Sequence, residues 1–159
     1  MKIAIYPGTF DPITKGHIDI LLKARDIFDK VYLAVAEVTG KNTLFTGKER
    51  EDLCKKATAN IKNVTVERFD GLSVAFAKKH NAIAMIRGLR AVSDFEYELQ
   101  IALMNKKLDS TINTIFLTPE AKHLYLSSSI MRQIVDLGAE PKDFLPKCVI
   151  KALKKKLNK

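Results

Sequence analysis

The chain has 159 residues, 47% of them hydrophobic and 28% charged, and carries a net charge of +9. That length suits one compact domain spanning 1–159 that buries ~70% of its unfolded surface, and excludes a disulfide-stapled miniprotein or two full domains. Two distant cysteines (Cys54, Cys148) and three scattered histidines (His17, His80, His123) exclude a disulfide framework or zinc cluster and fit a reduced, cytoplasmic protein.

Short β-rich runs alternate with helical patterns along the chain. Ile3 to Tyr6 reads as a strand, and Gly16 to Phe28 as a helix with Leu21, Ala24 and Phe28 on one face. Val31 to Ala36 is a second strand, followed by the polar stretch Glu37 to Phe45. Thr46 with Glu49 has the spacing of a capping box and starts a helix that turns Leu53, Cys54 and Ala57 inward. Cys54 is accordingly a core residue rather than a nucleophile.

Val64 to Phe69 is the third strand, with a short helix from Ser73 to about His80 behind it. Ala82 to Ile86 is nearly all apolar, as a strand buried on both faces should be. Ser93 with Glu96 repeats the capping-box spacing ahead of a helix through Leu99, Ala102 and Leu103. Thr111 to Leu117 is the fifth strand, and Ser127 to Leu137 a helix that Gly138 and Pro141 end. Five strands, each followed by a helix, predict right-handed crossovers and a parallel sheet wrapped on both faces. The fold class is α/β, a single Rossmann-like domain with a five-stranded parallel sheet.

Much of the positive charge sits at one end. Residues 142 to 159 hold seven Lys against Asp143 alone. Val149, Ile150, Leu153 and Leu157 recur there at helical spacing, which predicts a basic amphipathic helix over about 146–157. The lysines read as its solvated face, compatible with a helix C-terminus. No aromatic-studded strand or helix-turn-helix pattern accompanies them, so no nucleic-acid partner is expected. The longest apolar runs are about six residues, far below the ~20 of a membrane span. Pro7-Gly8 follows the first apolar stretch too closely for a secretory leader.

In such a sheet ligands bind outside the carboxyl ends of the strands, so the loops there carry the function. The first loop, Pro7 to His17, has neither Gly-x-Gly-x-x-Gly nor a Walker A sequence, which disfavours classical dinucleotide binding and P-loop hydrolysis. It places His17 in a helix's first turn, where the dipole disfavours imidazolium and a neutral ring can donate to a phosphate oxygen. Lys41 follows the second strand. Arg87-Gly88-Leu89-Arg90 follows the fourth, with two guanidinium groups able to fork phosphate oxygens. Ser127-Ser128-Ser129 opens a helix after the fifth, offering backbone N–H groups and hydroxyls to an anion. Phosphate-binding chemistry thus recurs at four of the five strand ends.

Tyr6-Pro-Gly-Thr-Phe-Asp-Pro-Ile-Thr-Lys-Gly-His17 resembles the Thr/His-x-Gly-His signature of the nucleotidyltransferase superfamily. Ile86-Arg-Gly-Leu-Arg-Ala-Val-Ser-Asp-Phe-Glu-Tyr-Glu98 resembles a segment particular to bacterial phosphopantetheine adenylyltransferases, and Leu126-Ser-Ser-Ser-Ile-Met-Arg132 is similar to the superfamily's serine-rich second motif. The resemblance implies transfer of AMP from ATP to 4′-phosphopantetheine, giving dephospho-coenzyme A and pyrophosphate, with Mg2+ accompanying the nucleotide. It implies that Thr9, Lys41, Ser73 and Arg87 contact phosphopantetheine. It further implies that Thr9, Phe10, His17, Gly88, Leu89, Arg90, Glu98 and the run His123, Leu124, Tyr125, Leu126, Ser127, Ser128, Ser129 contact ATP. The resemblance departs at His123, where relatives commonly carry Trp or Tyr. Homohexamers are the implied assembly.

That reaction asks for positioned cations and donors rather than a nucleophile, because charge builds on oxygens already charged. His17 and Lys41 are expected to hold the α-phosphoryl oxygens and the incoming phosphate, with Arg90, Ser128 and Ser129 steadying the β,γ-phosphates. An acceptor that is already an anion needs no general base. Related chemistry on other substrates, such as cytidylyl transfer or adenylylation of nicotinamide mononucleotide, is the nearest alternative, against which the Arg87 to Glu98 run argues.

Overall fold

Five parallel strands form one sheet in the order β3-β2-β1-β4-β5. The computed structural model describes residues 1–38, 40 and 42–158. The strands are β1 (Ile3–Gly8), β2 (Lys30–Ala36), β3 (Val64–Phe69), β4 (Ala84–Gly88) and β5 (Asn113–Leu117). The helices are α1 (Lys15–Ile27), α2 (Gly47–Ala57), α3 (Ser73–Lys79), α4 (Val92–Leu108), α5 (Ser128–Asp136) and α6 (Lys147–Leu157). A single 3₁₀ turn, Ala121–His123, precedes α5.

Strand alternation sorts the core onto two faces. Ala4, Tyr6, Val31, Leu33 and Val35 point to the side covered by α1, α2, α5 and α6, where Leu21, Cys54, Met131 and Leu153 meet them. Ile5, Ala34 and Met85 point to the other side, against Val74, Phe76 and Ala77 of α3. Burial pushes the Cys54 thiol well above its usual range, so it packs as an inert core residue. Gly138, at φ +91, closes α5 as a left-handed cap, its N–H donating to the Val135 carbonyl. The basic helix α6 folds back on α2 and α5, and its Lys156 pairs with Glu49 at 2.9 Å.

One expectation about α4 is corrected. Ser93 is no cap: the helix begins at Val92 with Ala91 as its N-cap residue. The Asp94 carboxylate accepts the Arg90 N–H at 3.3 Å, one residue outside the helix, and no side chain caps the first turn. The helix itself runs through Leu99, Ala102 and Leu103 as expected. Only Asn105 of α4 is buried, and Leu103 is 62% exposed.

The chain order reverses between β1 and β4, which are neighbours in the sheet although two strands separate them in sequence. Their carboxyl ends, Gly8 and Gly88, open the crevice in which a doubly wound sheet holds its ligand.

Candidate active site

A cleft of ≈ 980 Å³ runs across the carboxyl ends of the strands. Its floor is the β1–α1 loop. Gly8 is required there, because a Cβ on it would lie 2.7 Å from Cζ of Phe10. Phe10 itself is buried at φ +50, a strained backbone held in place by its ring packing edge-on to Tyr6 and to His17, 5.1 Å between centroids.

Thr14 and His17 cap α1 reciprocally. The Thr14 hydroxyl accepts from the His17 N–H at 3.3 Å, and His17 Nδ1 accepts from the Thr14 N–H at 3.0 Å. An imidazole standing where a Glu usually stands closes a capping box. With Nδ1 committed as an acceptor, the neutral ring carries its proton on Nε2. Burial, with a smaller contribution from the Arg90 charge, lowers the His17 pKa from 6.5 to about 4. At neutral pH the cleft is therefore offered an uncharged N–H donor.

That shift has a consequence for stability. The unfolded chain takes up a proton on His17 below pH 6.5 that the folded chain refuses until about pH 4. Stability therefore falls as pH drops through this window, by up to ~3 kcal/mol. Denaturant titrations at pH 7.5 and 4.5 should show a smaller acid loss in His17→Gln than in the parent; equal losses would place the shift elsewhere.

The cations come from β4 and the loop after it. Arg87 lines the cleft, but its fork is already engaged: Nε and Nη2 donate to Glu98 at 2.6 and 2.7 Å, and Nη1 to the Pro7 carbonyl at 3.2 Å. Burial opposes the Arg87 charge, yet the Glu98 bonds outweigh it and raise its pKa above the ordinary value. Arg90 is more open. One Nη donates to the Leu126 carbonyl at 2.9 Å, and Nε lies 3.4 Å from Asp94.

The opposite wall is the start of α5. Ser127 caps the helix, accepting from the Ile130 N–H at 3.1 Å, which leaves the first-turn amides of Ser128 and Ser129 facing outward from the helix end. The Ser128 hydroxyl donates to the Pro12 carbonyl at 2.8 Å and so pins this wall to the floor. An anion placed between His17, Arg90 and the α5 amides would meet donors from three directions.

Residues 5–134 match the cytidylyltransferase-like family. A protein of Caldanaerobacter subterraneus subsp. tengcongensis named phosphopantetheine adenylyltransferase is 50% identical over 159 residues, covering 100% of this chain and 99% of its own. One of Moorella thermoacetica with the same name is 54% identical over 138 residues, 87% of this chain and 86% of its own. The namesake from Methylacidiphilum infernorum is 50% identical over 161 residues, 100% of this chain and 93% of its own. The chain belongs to the phosphopantetheine adenylyltransferase family.

In this family member the cleft gathers Thr9, Phe10, His17, Ser73, Arg87, Gly88, Arg90 and Glu98 from separate loops. His123, Leu126 and Ser127 to Ser129 join them from the segment after β5. Three other residues assigned to the nucleotide lie off the cleft's lining. The Leu89 N–H donates to the Leu117 carbonyl and extends the sheet, Leu124 is partly exposed, and Tyr125 packs edge-on to Phe144. Lys41 lies outside the described residues. His123 is buried, with Nδ1 3.8 Å from Asp19 and its Cβ over Gly16.

Sequence reasoning missed three charged residues that build this phosphopantetheine adenylyltransferase site: Asp11, Arg50 and Arg132. Asp11 and Arg132 lie within the motifs quoted above, so proximity to those motifs was the available signal. Arg50 sits in a helix rich in Lys and Glu and looks like one more surface charge, although it is 1% exposed.

Proposed function

We infer that the protein is an adenylyltransferase that moves AMP from ATP to 4′-phosphopantetheine, forming dephospho-coenzyme A and pyrophosphate. The observation that carries this reading is the capped, neutral His17 facing Arg90 and the α5 amides across one cleft. The full-length relatives, named for this activity, supply the acceptor.

An oxygen of the phosphopantetheine phosphate attacks the α-phosphorus of ATP as the bridging α–β P–O bond breaks, and pyrophosphate leaves with that electron pair. No proton has to be removed from the acceptor, so no base is required. His17 Nε2 donates to an α-phosphoryl oxygen as charge gathers on it. Arg90 with the Ser128 and Ser129 amides holds the departing pyrophosphate, and Lys41 together with Arg87 meets the acceptor phosphate. Glu98 holds Arg87 through Nε and Nη2 and keeps it oriented, leaving the remaining N–H of each Nη for the acceptor phosphate. Catalysis of this kind is positioning plus electrostatic stabilisation. Magnesium enters as part of the nucleotide substrate. Among the described residues no group of three or more His, Cys, Asp or Glu is placed to hold a metal ion.

Purified protein with magnesium-ATP and 4′-phosphopantetheine should release pyrophosphate, and CTP should not replace ATP. Release with another phosphorylated acceptor and none with phosphopantetheine would reassign the substrate.

No described helix is long and apolar enough to cross a membrane, and a cytoplasmic location is the proposed one, in keeping with the proposed biosynthetic role. A homohexamer is the proposed assembly. In its support, α4 leaves Val92, Tyr97, Leu103 and Met104 exposed, more apolar surface than a solitary helix face usually shows. Sedimentation should give a species several-fold heavier than one chain, and Leu103→Asp should shift it toward monomer; a monomeric parent would refute the assembly.

A further inference from the structure

The floor of the cleft is tied to its neighbours by a carboxylate that the reaction above does not use. Asp11 is 3% exposed. Its Oδ2 accepts from the Leu44 N–H at 2.8 Å and its Oδ1 from the Phe45 N–H at 2.9 Å. From the other side Arg132 of α5 donates one Nη to the Asp11 carbonyl and, at 3.0 Å, to Oδ2. One side chain therefore joins three segments that face the cleft: the β1–α1 loop, the segment between β2 and α2 whose Asn42 and Thr43 line it, and α5. Phe45 is held on its far side too, since its carbonyl accepts from Arg50 Nε at 3.2 Å.

A buried carboxylate that gives three of its roughly four acceptor sites to two backbone amides and an arginine is committed to holding the chain, so its part is geometric. The two amide bonds are charge-assisted and span the chain, the kind of contact that fixes a loop rather than decorating a turn. We propose that Asp11 is a positioning residue that fixes the end of the β2–α2 segment against the phosphate end of the cleft, so that the acceptor meets a preformed wall. The proposal rests on the adenylyltransferase reading for its kinetic consequence alone.

Asp11→Asn tests it, because the Leu44 and Phe45 amides use different oxygens, and Asn replaces one of those acceptors with an NH₂ that faces an N–H donor. Near-attack geometry is sensitive to shifts of ~1 Å, so kcat should fall ~30-fold or the phosphopantetheine KM rise ~10-fold, with the ATP KM within ~3-fold of the parent. Hydrogen exchange at Leu44 and Phe45 should quicken by ~100-fold while β1 and β4 amides stay protected. Unchanged exchange at these two amides overturns the proposal, as does free exchange with parental kinetics. Should the variant not fold, the parent decides: slow exchange at Leu44 and Phe45 in the free enzyme is expected, and exchange at open-loop rates overturns it. A parent that transfers no AMP to phosphopantetheine would instead sink the activity, with the exchange data still judging what Asp11 holds.

Discussion

Replacing His17 with Ala should slow AMP transfer at least ~100-fold and leave ATP affinity within a few-fold, the loss of one donor aimed at a transferring phosphoryl group costing ~3 kcal/mol. The imidazole is neutral at working pH because burial and Arg90 hold its pKa at about 4. A neutral N–H gains most when charge gathers on the phosphoryl oxygen, so its loss falls on turnover more than on ground-state binding. The variant should still fold. It forfeits half of a capping box, worth ~1 kcal/mol, while Thr14 keeps its own bond to the residue-17 amide. Single-turnover pyrophosphate release together with calorimetric ATP binding separates the two effects. Turnover within about three-fold of the parent would remove His17 from the reaction.

The same residues show how far the amino-acid string could be read. The place of His17 in the first turn of α1 was legible, but its reciprocal cap with Thr14 was not read, because an imidazole stands where a Glu or Gln signals a capping box. The strands were legible as short β-rich apolar runs between helical patterns, while the division of their side chains between two cores and the strand order came only with the structure. Ser93-x-x-Glu96 misled because the spacing of a capping box does not ensure its bonds: the helix begins one residue earlier, at Val92, with no side-chain cap. The state of Arg87 was invisible for a different reason. Its fork is filled by Glu98, eleven residues on, and spacing alone does not say whether an acid beside an arginine will hold it or face solvent. Asp11 binding Leu44 and Phe45 is further from reach still, since these contacts exist only after β1 and β2 have paired.

Arg50→Leu should strongly destabilise the fold. The four hydrogen bonds of this buried guanidinium all end on carbonyl oxygens: Thr9 and Ala36 at 2.7 Å, Phe45 and Glu37 at 3.2 Å. These carbonyls belong to the β1–α1 loop, the end of β2 and the approach to α2, so one side chain braces the rim of the cleft from behind. Leucine fills a similar apolar volume but donates nothing, and several carbonyls near the protein interior would lose their partners together. At about 1–3 kcal/mol for each group left unsatisfied, partly relieved where cleft water reaches, the sum is ~4 kcal/mol. For a chain of this size that is a fall in Tm of ~10 °C. Arg50→Lys keeps the charge but reaches fewer of the four oxygens, and should recover about half of the loss. Thermal melts of the two variants decide the matter, since a parental Tm in Arg50→Leu would mean that the carbonyls find water or one another and that the brace is not needed. Activity measured well below both transitions then tells whether the brace also sets the cleft: a drop beyond the fraction unfolded is expected, because Thr9 and the segment ending at Phe45 lose their common anchor.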